Sequence, residues 1–260
     1  MDLQLAGRRA VVTGGSRGIG RAVARALAAE GCDVALVARD LAALQQTASA
    51  LASETGARIM WLQADTGDDA SVGQMAAGAL EQLGDVDILV NGAARANVGA
   101  PLPDEDMAAE INVKVSGYLR CARAFAPGMT AAGWGRIISI GGLAVRQSGN
   151  VVGSARNAGV AAMTKVLADE LGPHGVNVTV VHPGVTLTER VAERLDADAQ
   201  RRGVTFPEIV AEAAAGVSIG RIPTADEVAA VVTFLASPLS VAINGDAVAV
   251  GGGRAGPIYY

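Results

Sequence analysis

The run Thr13-Gly14-Gly15-Ser16-Arg17-Gly18-Ile19-Gly20 directly follows an apolar segment and opens an Ala-rich, helical one. Glycines at 14, 18 and 20 permit a tight turn, close backbone approach to a pyrophosphate, and close packing of helix on strand. Phosphate oxygens would then lie on the exposed N–H groups of the helix start, beside Ser16 and Ile19. Gly-rich turns are common punctuation, but the strand–turn–helix context makes this one informative. The next apolar segment ends Val37-Ala38-Arg39. An Asp or Glu at the position of Ala38 would bond a ribose 2′-hydroxyl and repel a 2′-phosphate. Here a cation, Arg39, follows it, and Arg17 offers a second. Two guanidiniums converging on a dianionic phosphate favour NADP(H) over NAD(H). The alternative is that both are solvated surface charges. Asp40, heading Asp-Leu-Ala-Ala-Leu, reads as a helix N-cap.

Proton-transfer groups are scarce. The 260 residues include three tyrosines (Tyr118, Tyr259, Tyr260), two lysines (Lys114, Lys165) and two histidines (His174, His182). Chemistry needing a Tyr near a Lys is nearly excluded by these counts. Cys32 and Cys121 are too few for a disulfide scaffold and suit a reducing, cytoplasmic setting. His and Cys lie far apart, so no metal-site spacing is present. A net charge of −5 without a basic cluster argues against nucleic acid as a partner. The Met1–Leu5 start lacks a signal-peptide pattern, and no run reaches the roughly 18 apolar residues of a membrane span.

Short β-branched runs alternate with helical stretches and position these groups. Strands are expected at Arg9–Thr13, Asp33–Ala38, Arg58–Gln63, Val86–Asn91, Arg136–Ile140, Val176–His182 and Ala247–Val250. They are almost continuously apolar, as strands covered on both faces must be. Helices are expected at Ile19–Glu30, Leu41–Ser53, Ala70–Leu83, Met107–Met129, Val152–Leu171 and Asp226–Ala236. The pattern predicts an α/β fold: one doubly wound Rossmann domain over residues 1–260, a parallel sheet of about seven strands with helices on both faces. Thr186–Ile222 departs from it, with charged helical turns and no strand. It reads as a substrate lid at the carboxyl ends of the strands, or as an ordinary surface insertion.

The Gly-x-x-x-Gly-x-Gly spacing resembles that of the short-chain dehydrogenase/reductase family, and further motifs agree along about the whole chain. Asp65-Thr66 resembles the family's adenine-binding site, and Asn91-Gly92-Ala93-Ala94 its Asn-Asn-Ala-Gly motif with Gly replacing the second Asn. Asn112, in Ile-Asn-Val, resembles its helix asparagine. Pro183-Gly184-Val185-Thr186-Leu187-Thr188 resembles the segment bordering the nicotinamide. The resemblance implies a nicotinamide cofactor, a small-molecule substrate and a homotetramer or homodimer.

It also exposes a gap. Ordinary members carry a Ser after the fifth strand and Tyr-x-x-x-Lys on the next helix. The Tyr exchanges a proton with the substrate oxygen, and the Lys lowers its pKa and holds the nicotinamide ribose. Here the Ser position falls on Gly142, the Tyr position on Gly153 and the Lys position on Asn157. Of the four family residues only Asn112 is retained. Asn157 can still bond ribose hydroxyls but supplies no charge. His182, ending the sixth strand, is a substitute acid–base or a buried second-sphere histidine. Arg146, Ser148, Asn150, Ser154 and Arg156 bind an anionic or amide substrate, or cap the helix. Tyr259 and Tyr260 reach a neighbouring subunit or are peripheral. Tyr118 and Cys121 read as core or contact residues, and His174 as a turn residue.

These residues leave three readings: an NADP(H)-dependent oxidoreductase with a non-standard site, a catalytically degenerate NADP(H)-binding sensor or partner subunit, or a non-redox lyase or isomerase.

Overall fold

The computed structural model describes residues 1–94, 104–147 and 151–254. Seven strands form one parallel sheet: β1 (Arg9–Thr13), β2 (Asp33–Ala38), β3 (Ile59–Gln63), β4 (Ile88–Asn91), β5 (Gly135–Ile140), β6 (Val176–Pro183) and β7 (Ala247–Val250). Their order is β3-β2-β1-β4-β5-β6-β7. The order reverses between β1 and β4, where Thr13 pairs with Asn91. A crevice at the carboxyl ends of the strands belongs at such a switch point.

Alternation along β1 explains the two covered faces. Ala10 and Val12 join Val23 and Leu27 of α1 (Gly18–Ala29) and Leu44 of α2 (Leu41–Thr55) on one side. Val11 faces the other side, toward Met75 of α3 (Asp69–Leu83).

The expected helix at Met107–Met129 is divided. It consists of α4 (Asp104–Ile111), a π-helical turn over Asn112–Ser116, and α5 (Gly117–Ala132). A Cβ on Gly117 would lie 2.7 Å from the Thr66 carbonyl oxygen, so glycine lets α5 approach the end of β3. On the same face as α3 and α5, α6 (Val151–Leu171) adds Leu167 to the core.

The segment after β6 forms α7 (Glu189–Arg202) and α8 (Phe206–Ala214), and α9 (Ala225–Ala236) returns to the α1 face. Leu195, Ala199, Ile209, Ala214 and Ile222 make a small core of their own within the excursion. Thr188 caps α7 through Val191 N–H, and Thr205 with Glu208 forms a capping box on α8.

Candidate active site

At the switch point a cavity of about 1010 Å³ runs from α1 across the ends of β1, β4 and β5 to α6. Its first wall is the glycine turn. Gly14 has φ +70, and a Cβ there would meet the Gly92 carbonyl oxygen at 2.6 Å. A Cβ on Gly20 would meet the Gly14 carbonyl oxygen at 2.2 Å. A side chain at Gly14 would collide with the backbone after β4, and one at Gly20 with the turn itself. Ser16, Arg17, Gly18 and Ile19 complete this wall, and the Thr47 hydroxyl ties α2 to the Ser16 carbonyl at 2.9 Å.

Arg39 lines the cavity where β2 ends, with Arg17 on the neighbouring turn. Arg39 also meets Asp65 at 3.8 Å, both side chains being largely exposed. Asp40 is engaged as the α2 N-cap, accepting from Ala43 N–H at 3.1 Å. Glu189, at the start of α7, accepts from Gly18 N–H at 3.2 Å. A carboxylate thus sits on the same N-terminus that the sequence assigns to a phosphate.

Thr66, Gly92, Ala93, Pro183, Gly184, Val185 and Thr188 line the walls, whereas Asn91 and Thr186 do not. Both are buried behind the surface. Asn91 Nδ2 donates to the Tyr118 carbonyl at 3.4 Å, and the Thr186 hydroxyl to the Gly184 carbonyl at 3.2 Å. They brace the wall rather than form it. Asn112 is likewise outside the lining and donates from Nδ2 to the Gly67 carbonyl at 2.8 Å.

At the far end Gly142 and Asn157 face each other: a Cβ on Gly142 would lie 2.9 Å from Asn157 Nδ2. Asn157 is 2% exposed, lines the cavity, and its Oδ1 has no hydrogen-bond partner. Gly153 is buried one helical turn earlier in α6.

His182 is also buried and does not line the cavity. Its Nδ1 accepts from Gly142 N–H at 3.0 Å. Burial first, then the charges of Arg146 and Lys114, bring its pKa down to about 4. A neutral imidazole fixed on a backbone amide orients Gly142; it is not positioned as a substitute acid.

Ser154 donates to the carbonyls of Ala144 and Gln147 at 2.8 and 3.2 Å, joining α6 to the 3₁₀ turn at Leu143–Arg146. Arg146 donates to the Ala247 carbonyl at 3.5 Å. Arg156 lines the cavity and pairs with buried Glu110. Ser148, Asn150, Tyr259 and Tyr260 lie outside the described residues.

One expectation from composition is corrected. Lys114 and Tyr118 are four residues apart across the π turn, and both line the cavity. Lys114 Nζ donates to the Gly141 carbonyl at 2.8 Å, and the Tyr118 hydroxyl to the adjacent Ile140 carbonyl at 3.2 Å. A lysine and a tyrosine are therefore neighbours here, in the order Lys-x-x-x-Tyr. The signal was present: two of the chain's rarest residue types lie one turn apart on a helix.

A family model described as short chain dehydrogenase matches residues 8–199. The chain belongs to the short-chain dehydrogenase family. It is 37% identical over 248 residues to the short-chain reductase protein NovJ of Streptomyces niveus, covering 94% of this chain and 93% of that one. It is 34% identical to the 3-oxoacyl-[acyl-carrier-protein] reductase FabG of Pseudomonas aeruginosa, covering 96% and 98%. L-sorbose reductase from Gluconobacter frateurii, solved with NADPH and L-sorbose, superposes with a TM-score of 0.94 at 28% identity, covering 99% of this chain and 100% of that one. With relatives named as reductases over nearly its full length, the chain is placed among the oxidoreductases of this family. Among the described residues no helix is long and apolar enough to cross a membrane.

Proposed function

We propose that the chain is an NADP(H)-dependent oxidoreductase that interconverts a small carbonyl, or another activated C=X group, and its reduced form. The observation that carries this reading is the continuous cavity joining the glycine turn and Arg39 to Gly142 and Asn157. The residues suit a dinucleotide: Gly14 and Gly20 let the turn lie close against neighbouring backbone with the α1 start facing the cavity, and Asn157 Oδ1 is a buried acceptor without a partner. A bound dihydronicotinamide supplies hydride to an electrophilic carbon. The chain's residues would bind and orient it: α1 N–H groups would hold the diphosphate, Arg17 and Arg39 the 2′-phosphate, and Asn157 a ribose hydroxyl. NADPH in the L-sorbose reductase structure supports the cofactor assignment. We further assign α7 and α8, over about residues 186–222, as the substrate lid, the assembly as a homodimer or homotetramer, and the setting as cytoplasmic, in keeping with two buried free cysteines.

NADPH consumption across aldehydes, ketones, enones and imines tests the reading. Turnover of one class supports it, whereas tight NADPH binding with no consumption favours a second one. That second reading, a degenerate NADP(H)-binding sensor or partner subunit, draws support from Gly142, Gly153 and Asn157 standing at the family's Ser, Tyr and Lys positions. The combined variant Gly142→Ser, Gly153→Tyr, Asn157→Lys should gain ordinary carbonyl reduction. A folded, cofactor-binding triple variant without that gain counts against the register.

A further inference from the structure

Lys114 is buried on the π turn between α4 and α5, where helical residues ordinarily pack against apolar neighbours. A π turn inserted in an α-helix is frequently a functional feature, because it re-aims the side chains it carries. Here it holds a primary amine in the cavity wall beside Gly142 and Asn157. Gly141 O takes one of the three ammonium donors, at 2.8 Å. Two donors remain for a group entering the cavity.

The other candidates at this end of the cavity are unsuited to proton exchange. The Tyr118 hydroxyl is fully buried, is spent on the Ile140 carbonyl, and is pushed well up by burial. His182 is turned onto Gly142 N–H outside the lining. Arg156 is engaged by buried Glu110. Asp40, Asp65 and Glu189 line the opposite end, near Arg39 and the glycine turn.

Resting on the oxidoreductase reading, we propose that Lys114 Nζ gives a proton to, and takes it back from, the substrate oxygen, the role an α6 tyrosine fills elsewhere in the family. In the reducing direction the carbonyl carbon receives hydride from the reduced nicotinamide. One Nζ–H bond breaks as the O–H bond of the alcohol forms. Lysine is left as the neutral amine and regains its proton from water. The titratable and charged groups facing Nζ come from three elements: Glu110 on α4, Arg156 on α6 and the neutral imidazole of His182 on β6. Burial, aided by Arg156 and opposed by Glu110, brings the Lys114 pKa down to about 7. The amine can therefore cycle at neutral pH.

Having two lysines makes the test direct, since 13Cε-lysine labelling gives two NMR signals and Lys165→Arg identifies Lys114. The Lys114 signal should titrate near pH 7 and move on addition of NADP+. The signal of exposed Lys165, paired with Asp169, should not move with NADP+. Lys114→Met should lose carbonyl reduction about 100-fold or more, with NADPH affinity within about threefold of the parent. Reduction by the parent should fall as pH rises through the Lys114 value, while alcohol oxidation rises.

A Lys114 signal with no titration near pH 7, or one that ignores NADP+, overturns the proposal in the unmutated protein, whatever the variant does. A folded Lys114→Met protein with the parent's turnover and pH profile overturns it while leaving the oxidoreductase reading intact. NADPH binding without turnover of any carbonyl by the parent removes both.

Discussion

Asn157 lines the cavity with an unpartnered Oδ1, and Arg39 stands at the opposite end beside Asp65. Under the proposed assignment, the two positions test different parts of the cofactor. Asn157→Ala removes one neutral hydrogen bond, worth about 1 kcal/mol, so NADP(H) and NAD(H) should both bind about fivefold more weakly in calorimetric titration. Arg39→Ala removes a charge-assisted contact to the 2′-phosphate, worth about 2 kcal/mol. NADPH affinity should then fall about 30-fold while NADH affinity changes little. Equal losses for both cofactors would place Arg39 elsewhere. The glycine turn was legible in the sequence because its chemistry is backbone chemistry, fixed by where a Cβ is absent. Lys114 and Tyr118 were harder to read. Counting residues and demanding the family's Tyr-x-x-x-Lys order hid a pair that the π turn brings to the cavity.

At the scale of elements, α7 is tied to α1 through Glu189. Its carboxylate accepts from Gly18 N–H at 3.2 Å and lies 3.7 Å from Arg21. A diphosphate arriving at the same helix N-terminus must displace it, and α7 carries the proposed lid. Glu189→Gln should therefore tighten NADP(H) binding a few-fold, more at low salt than at 0.5 M, where exposed charges are screened. Unchanged or weaker binding in calorimetry would break that link. The sequence located the excursion at Thr186–Ile222 but did not resolve it into two helices. Thr205-x-x-Glu208 and Thr224-x-x-Glu227 were readable cap signatures, and both form. Its small core, around Leu195 and Ile209, depends on contacts between α7 and α8 that spacing alone does not reveal.

Across the whole molecule, the cavity at the carboxyl ends of the strands is balanced by an ionic clamp at the amino ends of β1 and β4. Asp87, just before β4, accepts from Arg9 Nε at 2.8 Å and Arg9 N–H at 2.9 Å, and pairs with Arg8 at 3.5 Å. Burial opposes ionisation of Asp87, but the Arg9 hydrogen bonds and the two guanidinium charges outweigh it and lower its pKa. The folded value lies below the unfolded one, so the clamp's contribution is full above the unfolded carboxyl pKa and is lost as pH falls through the folded value. Asp87→Asn should cost about 2–3 kcal/mol in urea unfolding at pH 7, and the gap to the parent should narrow near pH 2. The doubly wound sheet itself was legible end to end, because parallel strands buried on both faces write long apolar runs. Where the strand order reverses between β1 and β4, that same topology positions the cavity.

The central claim is that this cavity supports hydride transfer without a tyrosine on α6. Incubating the protein with NADPH carrying deuterium at the transferable C4 position, against the carbonyl panel, tests it by mass spectrometry of the products. Deuterium on the former carbonyl carbon of one substrate class, abolished in Lys114→Met, is the predicted result. Saturating NADPH binding with no deuterium in any product would contradict it.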